Sequence, residues 1–193
     1  VPMSISENIA AIRQQIALAA ERSGRTAADI TLVGASKMND AAACREAIAA
    51  GIDALGENRV QEMTQKLAED AYAGAPLHFI GHLQRNKVKQ VVGKAALIQS
   101  VGSVALLDEI EKTAEKLSLV QDILLEVNIG GEEAKSGFAP EELEAAARYA
   151  KTLSHVQVLG LMTIPPVENE PQGNLPFFAK MKALYVDINQ NIY

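Results

Sequence analysis

A single cysteine, Cys44, stands in the chain, so neither an intrachain disulfide nor a cysteine-based metal cluster can form. Its setting, AAACREAIAAG, reads as helix, which makes Cys44 a small buried hydrophobe rather than a nucleophile. The three histidines, His78, His82 and His155, lack the spacing of a zinc site. No stretch has the length and apolarity of a membrane span. The first residues, VPMSISENIAAIRQQIALAAERSG, are interrupted by Glu7, Arg13 and Glu21 where a signal peptide needs a continuous apolar core. A cytoplasmic location is therefore expected, with no membrane partner. Val1 and Pro2, ahead of Met3, read as residues added before a native start. The net charge is −6 and there is no basic stripe, so nucleic acid is not an expected partner. The GxGxxG signature of a dinucleotide fold after a first strand is missing as well.

What is present is an ordinary globular composition, 48% hydrophobic and 22% charged over 193 residues, enough for one domain with a substantial core. Residues 4–24 predict an amphipathic helix: Ser4 and Glu7 have capping-box spacing, Ile5, Ile9, Ile12, Ile16 and Ala19 recur at helical intervals, and Gly24 ends it. From Ile30 onward strand and helix alternate. Strands are expected at 30–36, 52–56, 77–82, 97–101, 121–129 and 155–163. Helices are expected at 40–50, 58–72, 85–93, 104–118, 140–153 and 174–191, with Ser103 as an N-cap and Pro140 in a first turn. Six such units in succession predict a parallel α/β fold.

The first strand, ITLVGASK, is apolar and ends on Lys37, with Thr31, Val33, Ala35 and Lys37 sharing one face. A lysine at the C-terminal end of a parallel strand, above small residues, is a candidate nucleophile if burial strips part of its hydration; a solvated strand-end lysine is the plainer alternative. Further polar or small residues fall at later strand ends: Asn58 after GE, His82 after HFIG, Glu126 and Asn128, Gly160 and Met162. Polar groups gathered at one end of a parallel sheet suit a barrel better than a doubly wound sheet. Eight strands need about 250 residues, so about two strand–helix units are expected to be missing and strands 1 and 6 to lack an outer neighbour. Glu132 and Glu133 read as an exposed charge run, and Tyr72, Tyr149 and Tyr185 as helical.

Five stretches in order, LVGASK, AIAAGIDALGENRVQE, LHFIGHLQRNKVK, LLEVNIGGEEAKSGF and GLMTIPP, resemble the pyridoxal phosphate homeostasis proteins, single-domain relatives of the alanine racemase N-terminal barrel. The resemblance implies a TIM-type (β/α)8 barrel of PLP fold type III over residues 1–193, with the last two strand–helix units lacking. It implies that Lys37 forms a Schiff base with pyridoxal 5′-phosphate, that Asn58 lies beside the cofactor, and that His82, Gly160 and Met162 line the pocket. It implies a non-catalytic role in vitamin B6 homeostasis, with the cofactor and PLP-dependent apoenzymes as partners and a monomeric state. The family's later SMGMSxD and RxGxxIFG segments, which carry most of the phosphate cradle, do not occur here, so weak cofactor binding by these residues alone is expected. Two alternatives stand beside it. A PLP-dependent amino-acid racemase needs a second base to move the α-proton, and a Schiff-base aldolase needs no cofactor at all.

Overall fold

The computed structural model describes residues 3–170 and 172–193. Val1 and Pro2, read above as added residues, lie outside them. The chain divides into two compact units, residues 1–78 and 79–193, and each is described by itself.

The first unit opens with α1 (Ile5–Arg22), started by the predicted capping box: Glu7 N–H donates to Ser4 Oγ at 3.1 Å and Ser4 N–H to the Glu7 carboxylate at 3.2 Å. Gly24 (φ +74°) then takes the left-handed conformation that stops the helix. Only part of the apolar stripe is covered. Ile9 and Ala20 are buried, whereas Ile12 and Ala19 are exposed. Arg13 ties the helix to the loop before the second strand through Asp53 (3.0 Å) and the carbonyl of Gly51. Then follow β1 (Val33–Ala35), α2 (Ala41–Ala49), β2 (Ala54–Glu57) and α3 (Val60–Ala68). β3 (Leu77–Phe79) stands at the junction of the units. β1 and β2 are parallel, with Val33 opposite Ala54 and Ala35 opposite Gly56, and Leu55 N–H donates to Pro76 O on the way into β3.

β1 departs from expectation. It is shorter than 30–36 and is not a buried strand: Val33 and Gly34 are half-buried and Ala35 is exposed. Among the described residues it has β2 on one side only, at the end of the strand order, so its other edge is unpaired. α3 ends at Ala68, short of 72. Tyr72 therefore lies in a buried turn and not in a helix, beyond the left-handed Asp70 (φ +52°) that breaks the helical path.

The second unit contains a 3-10 segment (Arg85–Gln90) in place of the expected helix 85–93, then β4 (Leu97–Val101), α4 (Val104–Lys116), β5 (Gln121–Glu126), α5 (Pro140–Lys151), β6 (Val156–Met162) and α6 (Leu175–Asn191). Ser103 caps α4, accepting from Leu106 N–H at 3.1 Å, and Pro140 opens α5, both as the sequence predicts. β4, β5 and β6 lie in chain order and pair in parallel, with Ile98 opposite Ile123 and Glu126 opposite Met162. Among the described residues β6 pairs with β5 alone, matching the expectation for strand 6. Ile98, Leu107, Ile110, Ile123, Leu125 and Leu143 are completely buried and form the core, each contributing roughly 1.5–3 kcal/mol by its removal from water.

Candidate functional site

In the first unit, β1 and β2 run parallel in register and their C-terminal ends lie side by side. Lys37 comes two residues after Ala35, and Asn58 two residues after its register partner Gly56. The pairing thus brings together the two residues that sequence singled out in this unit. Lys37 is exposed, and its ammonium makes no hydrogen bond or ion pair among the described residues. The burial invoked for it from sequence is absent, because Lys37 lies two residues past β1, in an exposed turn with Met38, and not on the strand. Asn58 is half-buried, and its side-chain oxygen is shielded from water with no hydrogen-bond donor. A buried carbonyl oxygen without a donor is costly, so this atom, like the neighbouring Glu57 Oε2, is an acceptor left unsatisfied in the unit.

Beneath Lys37 lies a polar cluster that the sequence did not reveal. Glu57, the last residue of β2, is completely buried, and Lys66 on α3 nearly so. Lys66 Nζ stands 2.8 Å from Glu57 Oε1 and 2.7 Å from the carbonyl oxygen of Ser36. The hydroxyl of Ser36 donates to the same Glu57 oxygen. Glu62, one helical turn before Lys66, lies 3.7 Å from its ammonium and accepts the Met38 N–H on both carboxylate oxygens at 3.1 Å. The phenol of Tyr72 is pushed up by burial and by the charge of Glu57, which lies close to it but outside hydrogen-bond geometry. Burial likewise pushes the Cys44 thiol up, in keeping with an inert core residue. A signal for the ion pair did exist in the sequence. Glu57 ends an otherwise apolar strand, and Lys66 follows Val60 and Met63 on the apolar stripe of α3.

In the second unit, His82 is exposed and lies three residues past the end of β3, not on its final residue. Burial still alternates from Leu77 to His82, as the period of an extended chain requires. His78, on the same phase, is half-buried, and its imidazole is held below the ordinary histidine range by that burial. Gly160 and Met162 are half-buried on β6. A Cβ on Gly160 would meet a Leu124 methyl at 3.6 Å, an ordinary contact, so packing alone does not demand glycine there. Asn128 does not present its amide to a ligand. Its Nδ2 donates to the carbonyls of Glu132 (2.7 Å) and Lys135 (3.3 Å) and folds the loop onto itself. Gly137 closes that loop at φ +117°, where a Cβ would stand 2.7 Å from the Asn128 nitrogen. Glu132 and Glu133 are exposed, as read from sequence.

Glu126 ends β5 as a buried carboxyl, which burial holds above its ordinary value of 4.5, with the charge of His82 acting the other way. A raised carboxyl stabilises the fold fully below its unfolded value and loses that contribution as pH rises through the folded value. Glu126→Gln is therefore expected to raise the urea midpoint at pH 7, with the gain vanishing below about pH 4, where both forms are neutral. Urea titrations of both chains at the two pH values check this, and an equal gain at both would show that the carboxyl's charge is not the cause.

The family model for the alanine racemase N-terminal domain matches residues 8–190. A pyridoxal phosphate homeostasis protein of Aquifex aeolicus is 43% identical over 182 residues, which are 94% of this chain and 80% of the relative. One of Pseudomonas aeruginosa is 37% identical over 96% of this chain and 81% of its own length. Among solved structures, PipY of Synechococcus elongatus with PLP bound is similar at a TM-score of 0.82 and 31% identity, covering 97% of this chain and 82% of that one. An alanine racemase of Clostridium difficile is similar in fold alone, at 15% identity and a TM-score of 0.71, over 84% of this chain and 45% of its own.

Proposed function

Because this chain belongs to the pyridoxal phosphate homeostasis proteins, a branch of the alanine racemase N-terminal domain family, we propose that it binds pyridoxal 5′-phosphate through a Schiff base on Lys37 and holds the cofactor without turning over a substrate. The observation that carries this reading is Lys37 itself, an unengaged primary amine on a backbone turn pinned from below by Glu57, Glu62 and Lys66. When bound, the cofactor would supply an aldehyde, and Lys37 would supply the amine that holds it. Asn58 fits beside it, since its side-chain oxygen is buried and lacks a donor. In the second unit the same reading proposes His82, Gly160 and Met162 as cofactor-contacting residues, each at or near the C-terminal end of a strand. Its partners would be the cofactor and the apoenzymes that draw on it, with the chain acting as a cytoplasmic monomer.

The test is to incubate the chain with pyridoxal phosphate, record the visible spectrum, reduce with borohydride and map the labelled peptide. One label on Lys37 is expected. A label spread over surface lysines, or none, would overturn the assignment.

A further inference from the structure

We infer that Glu62, backed by the buried Glu57–Lys66 pair, is a clamp that positions Lys37; this rests on Lys37 being the reactive amine proposed above. Among the described residues no hydrogen bond or ion pair of its own side chain sets the direction of Lys37. Its two neighbours are held instead. Ser36 is fixed at three points: its N–H donates to Gly56 O at 3.0 Å, its hydroxyl to Glu57, and its carbonyl accepts from Lys66 at 2.7 Å. Met38 is fixed at one, the N–H received by both oxygens of Glu62.

Met38 is the informative residue. It adopts φ +63°, a left-handed conformation unfavourable for any residue with a Cβ, and its side chain is 95% exposed. No packing of that side chain selects the conformation; it is held by the turn bond from Asn39 N–H to Ser36 O (3.1 Å) and by the Met38 N–H bond to Glu62, the one link that reaches outside the turn to α3. Glu62 in turn faces Lys66 at 3.7 Å, and Lys66 is anchored by Glu57. An unbroken set of charge-assisted contacts thus runs from β2 through α3 into the backbone on both sides of Lys37. Glu62 makes no hydrogen bond or ion pair with Lys37 among the described residues, so it is a positioning residue and not a catalytic one.

Glu62→Ala and Glu62→Gln, made in the full chain, separate positioning from general structure. Two readouts are taken: hydrogen exchange at the Met38 amide, and the pyridoxal phosphate concentration that half-saturates labelling of Lys37. Glu62→Ala is expected to speed exchange and to raise the half-saturating concentration roughly tenfold, the loss of one hydrogen bond to a charged group. Glu62→Gln, whose amide oxygen still accepts the N–H, is expected to stay within about threefold of the unaltered chain. Equal impairment of the two variants, or an unchanged Met38 amide in Glu62→Ala, would overturn the clamp and leave the cofactor reading standing. Failure of the unaltered chain to label at Lys37, with Met38 exchange still faster in Glu62→Ala alone, would uphold the clamp and remove the cofactor reading.

Discussion

Lys37→Ala is expected to abolish the visible absorption that pyridoxal phosphate gives with the unaltered chain, together with the borohydride-stable label, while leaving stability unchanged within about 0.5 kcal/mol. The asymmetry follows from the structure. The Lys37 side chain is exposed and unbonded, so its removal opens no cavity and strands no partner. Its backbone carbonyl, which accepts from Asn39 Nδ2 at 3.2 Å, survives the substitution. Two measurements on one preparation, a reduced-label mass spectrum and a urea titration, separate a lost reactive group from a lost fold. A residual Schiff base of similar amplitude in Lys37→Ala would move the chemistry to another lysine. A stability loss above about 1 kcal/mol would mean that Lys37 has a structural role its exposure does not suggest.

Lys66→Met is expected to cost about 3–5 kcal/mol, a large share of the 5–15 kcal/mol that holds a typical domain together. Lys66 is the cation facing Glu57, which is completely buried. Without it, Glu57 keeps the Ser36 hydroxyl as its donor, and its second oxygen already lacks a hydrogen bond. The penalty is that of an uncompensated buried charge, not of a lost contact. Glu57→Gln added to Lys66→Met is therefore expected to recover most of the loss, because it removes the stranded charge at nearly constant volume. Urea denaturation of the two single variants and the double variant gives the coupling directly. A loss below about 1 kcal/mol in Lys66→Met would place the pair among water-exposed ion pairs, against its burial. Recovery in the double variant without recovery of Lys37 labelling would fit a pair that serves position as well as stability.

The fold is legible in the sequence wherever the signal is local. The capping box of α1, the Ser103 cap of α4, Pro140 at the start of α5 and the bounds of β4 depend on residues within a turn of one another. The losses came where tertiary context intervened. The segment after His82 has helical composition, yet it forms a 3-10 turn that buries Val88 and Val91. The stretch 121–129 reads as one strand, but Val127, while still donating its N–H to Met162 O (2.8 Å), also bridges Phe138, and Asn128 turns into the loop it closes. Leu119 shows the same dependence on context: its side chain would lie 2.9 Å from a Cβ on Gly93, a contact that sequence spacing does not announce.

By itself the sequence determined that this is a parallel α/β chain with a lysine just beyond its first strand, which the structure ends at Ala35 and not on the lysine itself. Alternating apolar strands and capped helices are local patterns, and the parallel pairing follows from the helices between the strands. Only the tertiary structure decided how that lysine is held. Glu57 in GEN reads as an ordinary residue before a helix, and Lys66 as one more charge on it. Their pairing and burial depend on Ser36, twenty-one residues before Glu57, returning over both. A buried ion pair is set by which chain segments exclude water from it, and that is a property of packing across such distances, not of spacing along the chain.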